Sequence, residues 1–152
     1  MADRGLRGLI RLHKHQVDEK RRALADLERT EQEILDRQQA LREEMVREQA
    51  AVREDPALGL TFGAYVQRHK ERQERLAQSL ANIRKAIEAA RDDLSEAFKE
   101  LKTYEITQAN RDLREKHERD RKEQEVLDEI GLTLHRRREQ AEDDGGDGSG
   151  GI

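Results

Sequence analysis

Val52-Arg53-Glu54-Asp55-Pro56-Ala57-Leu58-Gly59-Leu60-Thr61-Phe62 is the stretch that decides the fold. Between Leu9 and Ile130 the only Gly or Pro residues are Pro56, Gly59 and Gly63, so helix breakers are confined to one place. Pro56 disfavours helix at Asp55, Gly59 loosens the backbone, and the Thr61 side chain can accept a bond from the open amides of a new helix. The pattern predicts an all-α chain with one helix over about 5–53, a loop over about 54–61 and a second helix over about 62–138. The expected fold is a helical hairpin.

Outward from this break, each arm carries an apolar seam. Alternating steps of four and three from Leu6 give Leu6, Ile10, His13, Val17, Lys20, Leu24, Leu27, Glu31, Ile34, Gln38, Leu41, Met45, Glu48 and Val52, nine of fourteen apolar. The same steps from Phe62 give Val66, His69, Gln73, Leu76, Leu80, Ile83, Ile87, Ala90, Leu94, Ala97, Leu101 and Tyr104, eleven of thirteen apolar with Phe62 counted. Sustained 3-4 spacing with charged flanks is the coiled-coil pattern, remote from the period of a strand. Placing Val52 opposite Phe62 sets Ile34 against Leu80, Leu27 against Ile87, Val17 against Ala97 and Ile10 against Tyr104. His13, Lys20, Glu31 and Gln38 interrupt the seam; such side chains can cover an apolar neighbour with the stem and send the head to water.

In this antiparallel register Leu6 falls opposite Gln108, and apolar content collapses beyond it, in Asn110-Arg111-Asp112-Leu113-Arg114-Glu115-Lys116-His117-Glu118. Acid-to-base pairs at i,i+4, namely Asp112–Lys116, Glu115–Arg119 and Glu118–Lys122, support a solvated helix without a partner. A sparse stripe of Ile106, Leu113, Leu127 and Leu134, with Ile130 beside it, continues past that point. An overhang of roughly 30 residues would extend about 45 Å. Gly131 is its weak position. The final segment, 141–152, is acidic and Gly-rich and is expected to be a disordered tail.

Composition narrows the function. Of the 152 residues, 42% are Asp, Glu, Lys or Arg, 3% are aromatic and none is Cys. This exceeds the charged share of an ordinary globule and excludes disulfides, thiolate metal sites and thiol nucleophiles. No apolar run is long enough to span a bilayer, and the N-terminal residues lack a secretory pattern, so a cytoplasmic protein is expected. The five His are too scattered for a metal site. Gly146-Asp147-Gly148-Ser149-Gly150-Gly151 mimics a phosphate-binding loop but has neither the strand before it nor the helix after it. Two helices offer no enclosed cleft, so no enzyme and no cofactor is expected. The 22 Arg residues are balanced by acids, with segment charges of +1 over 1–53, zero over 54–104, −1 over 105–140 and −4 over 141–152. That leaves no basic stripe for nucleic acid.

What remains is recognition through surfaces. The candidates are the Arg7, Arg11, Lys14, Arg21 and Arg22 face, the charged run containing Arg111, Arg114 and Arg121, and the apolar residues Leu58, Leu60, Phe62 and Tyr65 near the loop. A free adaptor or holdase-like chaperone, dimeric through the Ile106, Leu113, Leu127 and Leu134 stripe, satisfies the same features.

The opening Leu9-Ile10-Arg11-Leu12-His13-Lys14-His15-Gln16-Val17-Asp18-Glu19-Lys20-Arg21-Arg22-Ala23-Leu24 resembles the start of the flagellar export protein FliJ family and its type III secretion relatives. Glu125-Val126-Leu127-Asp128-Glu129-Ile130, followed by Arg136-Arg137-Arg138, is similar to that family's C-terminal helix. The resemblance covers roughly residues 5–140; Gly131 and the Gly/Asp tail depart from it. It implies an antiparallel coiled coil like the stalk of rotary ATPases, which enters the export ATPase ring, promotes its assembly, contacts the membrane export gate and escorts export chaperones. It also implies a position at the cytoplasmic face of the inner membrane, held there through partners. On this resemblance Arg7, Arg11, Lys14, Arg21, Arg22, Arg111, Arg114 and Arg121 are expected to meet the ATPase, and Leu58, Leu60, Phe62 and Tyr65 the gate.

Overall fold

The computed structural model describes the backbone of residues 2–146 and the side chains of 4–146. Two α-helices, α1 (Ala2–Glu54) and α2 (Gly59–Gly145), are joined by Asp55 and a single 3-10 turn, Pro56–Leu58. Among the described residues there is no strand.

The break sits where the sequence places it but is tighter. Asp55 is extended, at φ −131° and ψ 97°, and its carboxylate accepts from the Ala57 amide at 3.1 Å, while Pro56 supplies the preset first position of the turn. The Leu58 amide closes onto the Asp55 carbonyl at 3.1 Å, and α2 starts at Gly59. Two expectations change here. Thr61 is no cap, because its hydroxyl donates to the Leu58 carbonyl at 3.1 Å and Asp55 has already taken the capping role. Gly59 is right-handed helical, at φ −62° and ψ −23°, so its extra conformational freedom goes unused. At the far end α2 continues past Gln140 to Gly145, because Ala141 and Glu142 favour helix until Gly145 and Gly146 end it. The rest of the expected tail, 147–152, lies outside the described residues.

The chain divides into two compact units, Met1–Tyr104 and Glu105–Ile152. In the first, cross-helix pairs run in opposite directions along the two arms: Glu44–Arg72 at 3.8 Å, Glu31–Arg84 at 3.4 Å, Glu28–Arg91 at 3.8 Å and His13–Glu100 at 3.6 Å. The arms are therefore antiparallel. Among the described residues of this unit, every buried one is a seam residue: Leu6, Val17, Ile34 and Leu41 on α1, and His69, Ile87, Ala97 and Leu101 on α2. Val17, Ala97 and Leu101 form one cluster, with Ile10 and Leu94 packed against it. Val17 thus meets Ala97 as the register requires. Such a seam is one side chain deep, and its stability comes from apolar area removed from water along its length.

His13 departs from its expected place. Its ring stacks on Tyr104 at 4.7 Å, with Nδ1 3.6 Å from the Glu100 carboxylate, and its side chain is only 13% exposed. An aromatic neighbour in the seam holds the imidazole flat against the partner helix, where a Lys would have extended to solvent.

In the second unit all described residues from Ala109 onward are exposed. Gln108 is buried and donates to Asp112 at 2.9 Å. The Glu118–Lys122 pair is formed at 3.9 Å, and His135–Glu139 adds another at 3.5 Å.

Candidate interaction surfaces

The first surface is basic. Arg7, Arg11, Lys14 and Arg21 recur at spacings of three, four and seven, one step round the helix from the seam, so they share the flank of α1 beside the core. All are exposed, as is Arg22. Arg21 is the most constrained of them. Its guanidinium lies 5.8 Å above the Phe98 ring centroid and 3.9 Å from Asp18. This cation–π contact ties the basic flank of α1 to α2 through half-exposed Phe98, a residue that the seam pattern alone does not mark. Its signal is nevertheless present in the sequence, since residue 98 lies one step off the seam on the same flank.

The second surface is the turn. Leu60 is 92% exposed and Leu58 44%, although each is apolar. Phe62 and Tyr65 are half-buried, their rings stacked at 6.0 Å, and Tyr65 tilts onto buried His69 at 6.1 Å. The structure thus splits the four turn residues into an exposed pair and an inward-leaning aromatic pair. The Tyr65 hydroxyl is buried and finds no hydrogen-bond partner of ordinary geometry among the described residues. Burial raises its pKa first, the Glu44 and Glu48 carboxylates raise it further, and Arg72 opposes them.

A third surface lies in the second unit. Arg111, Arg114 and Arg121 are exposed, and the same helix exposes Ile106, Leu113, Val126, Leu127, Ile130, Leu132 and Leu134, each by more than half. Of these, Val126 and Leu132 lie outside the seven-residue stripe, so periodicity alone does not find them.

Chemistry has little to work with. The grooves of the first unit, such as that between Leu41, Glu44, Arg72 and Leu76, are shallow clefts alongside the seam. Among the described residues no group of three or more His, Cys, Asp or Glu could hold a metal ion. No helix among them is long and apolar enough to cross a membrane.

These features define a class: an antiparallel helical hairpin of coiled-coil type, whose distinctive parts are exposed surfaces. The family model described as "Flagellar FliJ protein" matches residues 3–140, and the chain belongs to that family. It is a flagellar-export-related coiled-coil protein in a family of non-enzymatic export components. No curated protein and no solved structure matches it.

Proposed function

We propose that this chain is a stalk-like component of the flagellar export apparatus that binds the export ATPase ring, promotes its assembly, and links it to the membrane export gate and to export chaperones. The observation that carries this reading is the family match over 3–140, borne on a hairpin that buries only its own seam and leaves its flanks charged and exposed. A helix inserted into a ring must offer polar contacts without sticking irreversibly, and the exposed salt-bridged flanks of α1 and α2 suit that task. Arg7, Arg11, Lys14, Arg21 and Arg22 on the first unit, and Arg111, Arg114 and Arg121 on the second, are the proposed ATPase contacts. Leu58, Leu60, Phe62 and Tyr65 are the proposed gate contacts. On this reading the protein works at the cytoplasmic face of the inner membrane, held there by its partners, and binds neither nucleic acid nor a cofactor.

The test is an affinity capture of the tagged chain from its native lysate with bound proteins identified by mass spectrometry. Recovery of a ring-forming export ATPase at near-stoichiometric yield is expected, with Arg11→Glu/Arg21→Glu losing most of it while keeping full helicity. Capture of another coiled-coil protein without the ATPase would leave the adaptor reading standing instead.

A further inference from the structure

In the second unit a run at spacings of three and four, Asp120, Glu123, Leu127, Ile130, Leu134 and Arg137, occupies one face of α2, with Arg138 at its edge. All seven are exposed, the three apolar ones by 61%, 52% and 52%. The order along the face is acid, acid, apolar, apolar, apolar, base. A helix with this order complements itself when inverted. We propose that this face is an antiparallel docking site for the same segment of a second copy of the chain.

Laid antiparallel with Leu127 opposite Ile130 of the second copy, the face sets Asp120 against Arg137 and Glu123 against Leu134. The Glu123 stem covers that leucine while its carboxylate reaches Arg138 one turn away. By symmetry each acid–base cluster occurs twice, flanking a shared apolar centre. Parallel pairing would set Asp120 against Asp120 and Arg137 against Arg137, which like-charge repulsion disfavours. A foreign helix would need an apolar strip with complementary charges but would not require this internal inversion. The interface spans about five turns with few apolar layers, so the association is weak and concentration-dependent. It goes beyond the stalk reading and stands or falls separately from it.

The experiment is sedimentation velocity on the full chain over a wide concentration series, with helicity followed by circular dichroism. The wild type should pass from monomer to dimer as concentration rises. Asp120→Arg/Glu123→Arg and Arg137→Glu/Arg138→Glu should each shift the midpoint at least about tenfold upward, since both clusters become repulsive. Mixing the two variants in equal amounts should restore the wild-type midpoint, because each acid again meets a base. A wild type that stays monomeric throughout, or helical variants whose mixture is no better than either alone, would overturn the proposal. The chain has no Cys, so orientation is read independently by mixing Asp120→Cys with Arg137→Cys under oxidation. Antiparallel docking gives the mixed disulfide. In that arrangement Asp120 of one copy lies roughly 25 Å from Asp120 of the other; an Asp120→Cys homodisulfide, or no cross-link at all, contradicts it.

Discussion

Val17 and Ala97 pack together in the tightest part of the seam, 2% and 7% exposed, with Leu101 completing the cluster. A branched residue on one arm is matched to the smallest apolar residue on the other. The matching makes the position sensitive in both directions. Val17→Ala should lower unfolding free energy by about 2 kcal/mol, chiefly from lost burial and an unfilled gap. Ala97→Leu should destabilise by about 1–3 kcal/mol through overpacking. Urea unfolding followed by circular dichroism measures both, and a neutral Ala97→Leu would show that the arms separate there easily.

The seam is legible in the sequence because its period is unambiguous, and one anchoring pair, Val52 with Phe62, is enough to bring Val17 to Ala97. The turn is legible in position but not in detail. Pro56 announces it, yet whether Asp55 or Thr61 serves as the cap depends on where the backbone reverses, and two short polar side chains within seven residues compete for one role. His13 escapes a reading by period because its place depends on Tyr104, a residue distant in sequence that offers a ring to stack on. The candidate surfaces are only half legible. Arg7, Arg11 and Lys14 are exposed on one flank whether or not a partner exists, since solvated and binding faces share one pattern; the Arg21 contact with Phe98 ties that flank to α2 and leaves the pattern the same.

Tyr65 gives a prediction with a definite sign. Its folded pKa is raised above 10.0 by burial first and then by Glu44 and Glu48. A raised pKa means the folded state holds the phenolic proton more tightly than the unfolded chain does. The associated stability is therefore complete below the ordinary value and is lost as pH rises through the folded value. In a Tyr104→Phe background, where Tyr65 is the remaining tyrosine, the phenolate absorbance should titrate above pH 10.0 while helicity persists. Glu44→Gln should move that midpoint downward. A midpoint at or below 10.0 would contradict the surroundings assigned to the hydroxyl.

Gly131 lies inside α2 with ordinary helical backbone, and a methyl group there would meet nothing within 4 Å. Gly131→Ala should therefore stabilise the surrounding helix by about 1 kcal/mol, measured as slower amide exchange around that position at concentrations where the chain is monomeric. Unchanged exchange would mean that the helix there is held by something other than its own propensity.

Leu60, at 92% exposure, contributes almost nothing to packing. Leu60→Ser should leave the unfolding midpoint unchanged while weakening binding to the cytoplasmic part of the export gate, read by titration of the purified gate domain. Equal binding by the variant would remove the turn from the proposed gate contact.

A hairpin that acts on a ring ATPase should change how readily the ring assembles. Purified export ATPase from the same cell, held where it is mostly monomeric, would be titrated with the full chain and the fraction in rings counted by mass photometry. Ring fraction and ATP hydrolysis are expected to rise together as the chain is added, and Arg11→Glu/Arg21→Glu, though fully helical, is expected to raise neither. A ring fraction that stays flat up to a large excess of the wild-type chain would contradict it.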